Sequence, residues 1–160
     1  MTVAFFCYAL FTGLIAVADQ FTKALVVRHI PLYEDFPLLP GVLGLTHVRN
    51  EGAAFSSFSG MQWLFALIFL AFTLAVVYEY FKKPMPFTKL ERWCITAIYG
   101  GGLGNMIDRV RLGYVVDMIE TLFMDFPVFN VADCFITCGC IGLMVHLAFF
   151  NKGFWKDGKK

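Results

Sequence analysis

The sequence predicts an all-α integral membrane protein of four transmembrane helices, with a small β-rich extracytoplasmic platform between the first two. Three observations predict it. The 160-residue chain is 59% hydrophobic and only 16% charged, whereas soluble globular domains are about half apolar and about a quarter charged. Its mean hydropathy is +0.68. Four segments approach the length of about 20 apolar residues needed to cross a bilayer core of about 30 Å. The chain reads as a single membrane-embedded domain over 1–160, with no internal repeat and no low-complexity tract.

The first helix is expected over about 3–27. No basic stretch precedes it and no small-residue cleavage site follows it, so it reads as a retained helix. The outer connection over 28–60 contains Pro31, Pro37, Pro40, Gly41 and Gly44, which break helices. "VLGLTHV" within it alternates as a short strand does. A second helix is expected over 61–81, clean until Glu79, and a third over about 90–107. In the third, "YGGGLGN" places Gly100 and Gly104 four apart, a spacing that lets helix backbones approach closely. A phosphate-binding loop is rejected there, because no Lys-Ser/Thr follows. The second outer connection, 109–130, is amphipathic. Val115, Val116, Met118, Ile119, Leu122 and Phe123 are available to dip into the membrane interface. The fourth helix is expected over 131–150.

Charge sets the orientation. The link "FKKPMPFTKLER" carries Lys82, Lys83, Lys89 and Arg92, and the tail "NKGFWKDGKK" carries Lys152, Lys156, Lys159 and Lys160. The positive-inside rule puts both in the cytoplasm. Four helices then place both termini inside and the two other connections outside. A net charge of +1 with no basic arm or stripe gives no sign of a nucleic-acid partner.

That topology brings distant polar residues to one depth. Asp19 lies near the outer end of the first helix and Asn50 just ahead of the second. Asn105, Asp108 and Arg109 lie at the end of the third. Asn130 and Asp133 lie at the start of the fourth, with Asp117 in the connection before it. Ionisable residues within a membrane are costly and are candidate functional groups. Each also has a plainer role. Asp19 and Lys23, spaced i, i+4 with the acid first, form the favourable order for a self-neutralising pair. Asp108 and Arg109 could pair with neighbours and terminate the third helix. Asp133, one turn into the fourth helix, could simply complement its positive end. His146, deep in the fourth helix, is expected to pack or make an interhelical hydrogen bond. His29 and His47 have no visible ligand partners. Glu34, Asp35, Glu51, Glu120 and Asp125 read as solvated loop charges. Asp117 stands apart, as a lone acid in an apolar stretch. Two acids held close in a low-dielectric site cannot both ionise cheaply, so one keeps a proton.

Elimination narrows the chemistry. There is no HExxH or comparable metal set. The serines, Ser56, Ser57 and Ser59, sit in one small loop without a nucleophile turn. Cys7, Cys94, Cys134, Cys138 and Cys140 lie in apolar segments, odd in number, without the polar-loop setting of a disulfide framework or the electropositive setting of a nucleophile. Cys134, Cys138 and Cys140 lack accompanying Asp or His at zinc spacing. Acid–base chemistry by carboxylates remains. On these features alone, a small membrane scaffold or a proton-coupled transporter using the same acids structurally stays open. The absence of a broken midplane helix weighs against the transporter.

The stretches "DQFTK" from Asp19, "NEGAAF" from Asn50, "GGGLGNMIDR" from Gly100, "GYVVDMI" from Gly113 and "FNVADCF" from Phe129 together resemble the lipoprotein signal peptidases, or signal peptidase II. Their order and spread over nearly the whole chain match that family. The resemblance implies a bacterial cytoplasmic-membrane aspartic endopeptidase. Its substrates would be diacylglyceryl-modified prolipoproteins, cut just before the lipid-modified Cys. It implies catalytic roles for Asp117 and Asp133. Asp19, Asn50, Gly52, Asn105, Asp108, Arg109, Asn130 and Ala132 would line or brace the site. No metal or cofactor is expected. The expected partners are prolipoprotein signal peptides and membrane lipids, and the chain is expected to act as a monomer. Met118 stands where the family often has an aromatic residue, and Cys134 where a small hydroxyl residue is common. Both could tune the pocket wall.

Overall fold

The computed structural model describes residues 2–52, 60–81 and 85–157. The three serines, Lys82, Lys83, Lys159 and Lys160 lie outside the described residues. The elements in chain order are α1 (Thr2–His29), β1 (Asp35–Leu39), β2 (Leu43–Asn50), α2 (Gln62–Phe81), α3 (Lys89–Leu112), β3 (Val115–Thr121), α4 (Val131–Phe149) and α5 (Lys152–Asp157). The chain is mostly helical, with one three-stranded antiparallel sheet ordered β1–β2–β3.

Three helical stretches are long and apolar enough to cross a membrane: Val3–His29, Gln62–Glu79 and Val131–Phe149. Their surfaces expose large apolar side chains such as Phe6, Val17, Trp63, Leu74 and Phe149. Lipid can cover such faces, which water would not. The chain is therefore an integral membrane protein. α3 is different. Its charged residues sit at both ends, Glu91 and Arg92 at one and Asp108, Arg109 and Arg111 at the other, and it packs against α1, α2 and α4.

Small residues make that central position possible. A Cβ on Gly100 would meet the Ile15 side chain of α1 at 3.0 Å, and one on Gly101 would collide with the Ala132 carbonyl oxygen of α4. On the facing helix, a Cβ on Gly139 would lie 2.9 Å from the Cys94 carbonyl oxygen. The glycines of "YGGGLGN" are packing surfaces, as their spacing suggests.

Two expectations about the outer segments need correction. The third helix does not end at 107. It continues past Asp108 and Arg109 to Leu112, where Gly113 adopts a left-handed φ of 82° and its N–H closes on the Arg109 carbonyl. That is the usual glycine stop, so Asp108 and Arg109 do not terminate the helix. The connection that follows is not available to the interface along its whole length. It forms β3, pairing with β2 at Leu45↔Ile119, Val48↔Asp117 and Asn50↔Val115. Val115, Val116 and Met118 are buried in the protein, while Leu122 and Phe123 stay exposed. Backbone pairing across the sheet decides this, because an unpaired strand edge beside the membrane would leave polar groups unsatisfied. The strand expected from "VLGLTHV" is present as β2.

At the other end of the bundle, Thr88 and Glu91 form a capping box at the start of α3. The buried Glu91 carboxylate also accepts hydrogen bonds from His146 Nδ1 at 2.7 Å and Asn151 Nδ2 at 2.7 Å. His146 thus makes the interhelical hydrogen bond expected of it.

Candidate active site

The sheet, α3 and α4 converge on a cavity of about 640 Å³, lined among others by Asn50, Asn105, Arg109, Asp117 and Asp133. Asp117 reaches it from β3. Its neighbour across the sheet is Val48, and Asn50 lies two residues further along β2, on the same face. That diagonal lets Asn50 Nδ2 donate to Asp117 Oδ2 at 2.8 Å. Asn50 Oδ1 in turn accepts the Gly52 N–H at 2.9 Å, which orients the amide.

Asp133 reaches the cavity from the first turn of α4. Asn130 is the N-cap, its Oδ1 accepting the Asp133 N–H at 3.0 Å. The Asp133 carboxylate answers by accepting the Asn130 N–H at 3.2 Å. This reciprocal box fixes the Asp133 rotamer. The helix-stabilising role open to Asp133 from sequence is therefore real, and it coexists with exposure of the carboxylate to the cavity. The fully buried Asn130 also donates from Nδ2 to Asp117 Oδ1 at 2.7 Å. One asparagine thus touches both acids. Asn105, on α3, donates from Nδ2 to Asp133 Oδ1 at 2.8 Å.

Asp117 is 2% exposed. Burial pushes its carboxyl up to about 6. The bond from Asn50 resists that shift, the nearby Asp133 charge adds to it, and Asn130 and the Lys23 ammonium oppose it. Asp117 thus changes charge near neutral pH, where an acid–base group is useful.

The remaining candidates lie around this pair. Asp19 is fully buried on α1, accepting the Ala132 N–H at 3.0 Å and pairing with Lys23 at 2.7 Å. Gly104 leaves room for it, since a Cβ there would lie 2.6 Å from Asp19 Oδ2. Ala132 is itself fully buried against α3. Asp108 ties three elements together. It accepts from Gln20 Nε2 at 2.8 Å and from the Val116 N–H at 3.1 Å, and pairs with Lys23 at 3.0 Å. Arg109 donates to the Gly52 carbonyl at 2.9 Å and stacks over Phe65 at 4.3 Å. All ten residues singled out from sequence gather in this region.

Two features were not singled out. Phe126, Pro127, Val128 and Phe129 form an apolar wall of the cavity, and Cys134, Thr137 and Cys138 form another along α4. Of these, only Cys134 was expected at the pocket wall; Met118, expected there as well, is buried and not among the lining residues. The i, i+3 and i+4 spacing of the α4 residues was the available signal. The second feature is Lys23, whose ammonium contacts Asn105 as well as two acids. Its spacing to Asp19 was visible, but partners from α3 were not.

No group of three or more His, Cys, Asp or Glu placed to hold a metal occurs among the described residues. The site offers carboxylates and neutral amides around an apolar cavity, an arrangement suited to acid–base work on a substrate held by its backbone.

Comparison with known proteins identifies the family. The family described as Signal peptidase (SPase) II matches residues 11–149. A lipoprotein signal peptidase of Streptococcus agalactiae is 44% identical over 146 residues, covering 91% of this chain and 90% of that protein. One from Enterococcus faecalis is 40% identical over 162 residues, covering 99% and 98%. A solved structure of a bacterial membrane enzyme superposes with a TM-score of 0.83 at 32% identity, covering 92% of this chain and 90% of that one. A second does so with a TM-score of 0.80 at 33% identity, covering 91% and 94%. The chain belongs to the signal peptidase II family.

Proposed function

We propose that the protein is an aspartic endopeptidase that removes signal peptides from diacylglyceryl-modified prolipoproteins, cutting just before the lipid-modified Cys. The observation that carries this is the pair Asp117 and Asp133 on one cavity, with Asn130 bonded to both. Burial favours the neutral form of Asp117, which suits it to the role of proton donor. Asp133 takes a proton from a water held between the two. That water attacks the scissile carbonyl while Asp117 donates to the carbonyl oxygen. Proton return to the nitrogen then lets the amine leave. No covalent intermediate is required. Asn50, Asn105 and Asn130 aim the carboxylates, and Arg109 with Gly52 frames the cavity edge. Asp19, Asp108 and Ala132 hold the helices that carry the acids.

Four membrane-crossing helices fit this chemistry, with α3 crossing inside the bundle where its charged ends reach opposite interfaces. At about 1.5 Å per residue, its 24 residues extend about 36 Å. The basic residues at the α2–α3 link and the C-terminus favour a cytoplasmic position for both ends of the chain. The sheet and the acids then face the outer surface of a bacterial cytoplasmic membrane. Acyl chains of the substrate and surrounding lipid stay in the bilayer while the scissile bond reaches the acids. The scaffold and transporter readings are not favoured, since the relatives are peptidases by name.

The test is direct. Purified protein is incubated with a prolipoprotein peptide carrying the diacylglyceryl group, and the products are mapped by mass spectrometry. Cleavage one bond before the modified Cys is expected, with the unmodified peptide cut poorly. Cleavage elsewhere, or none, would count against the substrate assignment.

A further inference from the structure

Lys23 is 3% exposed and sits on α1, facing α3. Its Nζ lies 2.7 Å from Asp19 Oδ2, 3.0 Å from Asp108 Oδ2 and 2.9 Å from Asn105 Oδ1. An ammonium has three protons and accepts nothing. All three protons therefore have partners, and the third partner is not an acid. A self-neutralising pair needs one carboxylate and no amide, so pairing with Asp19 alone does not account for this geometry.

The amide matters because its two ends are chemically opposite. A donor-only ammonium forces the near end of Asn105 to be its oxygen. Asn130 Nδ2 reinforces that choice, donating to the same Oδ1 at 3.1 Å. The Nδ2 of Asn105 is then left to point the other way, at Asp133 Oδ1, 2.8 Å distant. Were the amide turned over, an oxygen would face the carboxylate and an NH₂ would face the ammonium. Both contacts would be repulsive in a site with little water to relieve them. The direction of one hydrogen bond to Asp133 is thus set from two helices away.

We propose that Lys23 is a positioning residue of the reaction. Anchored by Asp19 and Asp108, it locks the Asn105 amide so that Asn105 donates to Asp133 and holds that carboxylate toward the cavity. The proposal rests on the aspartyl reading of Asp117 and Asp133. It adds that the Asp19–Lys23–Asp108 cluster acts on the chemical step and does more than join helices.

The test compares wild type, Lys23→Met and the double variant Lys23→Met/Asp108→Asn, with Asp117→Asn and Asp133→Asn in the same assay. The double variant removes one positive and one negative charge, so the net charge of the cluster is kept while the ammonium donor is lost. Folding is followed by thermal unfolding in detergent, and cleavage of a diacylglyceryl-modified peptide gives kcat and KM separately. The expected result is a folded double variant with kcat reduced at least about 100-fold and KM within about threefold, because neither substituted residue lines the cavity. A folded double variant with kcat near wild type would overturn the proposal. So would a loss confined to KM, or failure of both Lys23 variants to fold, either of which makes Lys23 a packing residue. The aspartate variants separate this from the larger reading. If either of them stays active, the dyad assignment itself fails, whatever Lys23 does.

Discussion

Asn130 donates its side-chain amide to Asp117 at 2.7 Å and caps, through its carbonyl oxygen, the helix that carries Asp133. One residue therefore links the strand-borne acid to the helix-borne acid. Its two jobs can be separated. Asn130→Ala loses both, so it should lose about 1 kcal/mol or more of stability through the missing cap and at least about 100-fold in kcat. Asn130→Ser keeps a capping oxygen and has no NH₂. It should recover most of the unfolding temperature and little of the activity. Thermal unfolding and cleavage rates on the two variants check this.

The ionisation of Asp117 gives a signed pH prediction. Its carboxyl is raised to about 6 in the folded protein, so the native state binds more protons than the unfolded chain between about pH 4 and pH 6. Wild-type stability should therefore fall as pH rises through that window, relative to Asp117→Asn. The loss should be on the order of 3 kcal/mol, from about two pH units at 1.36 kcal/mol each. Two further variants should move the titration itself. Asp133→Asn removes a like charge and should lower the Asp117 midpoint; Asn50→Ala removes a hydrogen bond to the charged form and should raise it. Carboxyl-labelled NMR reads both directions.

The contact between α3 and α4 leaves no space for added volume. Gly101→Ala would drive a methyl group into the Ala132 carbonyl oxygen. Backbone must yield, and α4 carries Asp133, so activity should fall together with about 1–3 kcal/mol of stability. Gly13→Ala is the control, because a Cβ there meets nothing within 4 Å. It should leave cleavage rates unchanged.

The far end of the bundle should be separable from the site. Glu91 accepts from Thr88 N, His146 and Asn151. Glu91→Ala strands these donors and should cost about 3 kcal/mol. The folded fraction should still cleave with kcat/KM within about threefold of wild type, since Glu91 lies in the first turn of α3, at the opposite end from Asn105 and Arg109.

The sequence exposed much of this architecture, for identifiable reasons. Long apolar runs made α1, α2 and α4 visible, with ends within two residues of those observed. The Gly-rich run announced close helix packing. β3 was not legible, because "YVVDMIET" lacks the alternation of a strand open on one face and its pairing partner lies some 70 residues earlier in β2. The extension of α3 was hidden by Asp108, Arg109 and Arg111, which look like the end of a membrane segment but occupy its last turns. Asp19, Asn105 and Asp133 announced themselves as polar residues in apolar surroundings. The role of Lys23 did not, because its partner on α3 lies 82 positions away and only the folded bundle brings them together.

The most direct test of the central claim is cleavage of the diacylglyceryl-modified peptide by wild type, Asp117→Asn and Asp133→Asn, with a metal chelator present throughout. The account predicts undiminished wild-type cleavage and two folded, substrate-binding variants with no detectable turnover. Near-normal activity in either variant, or loss of wild-type activity on chelation, would contradict it.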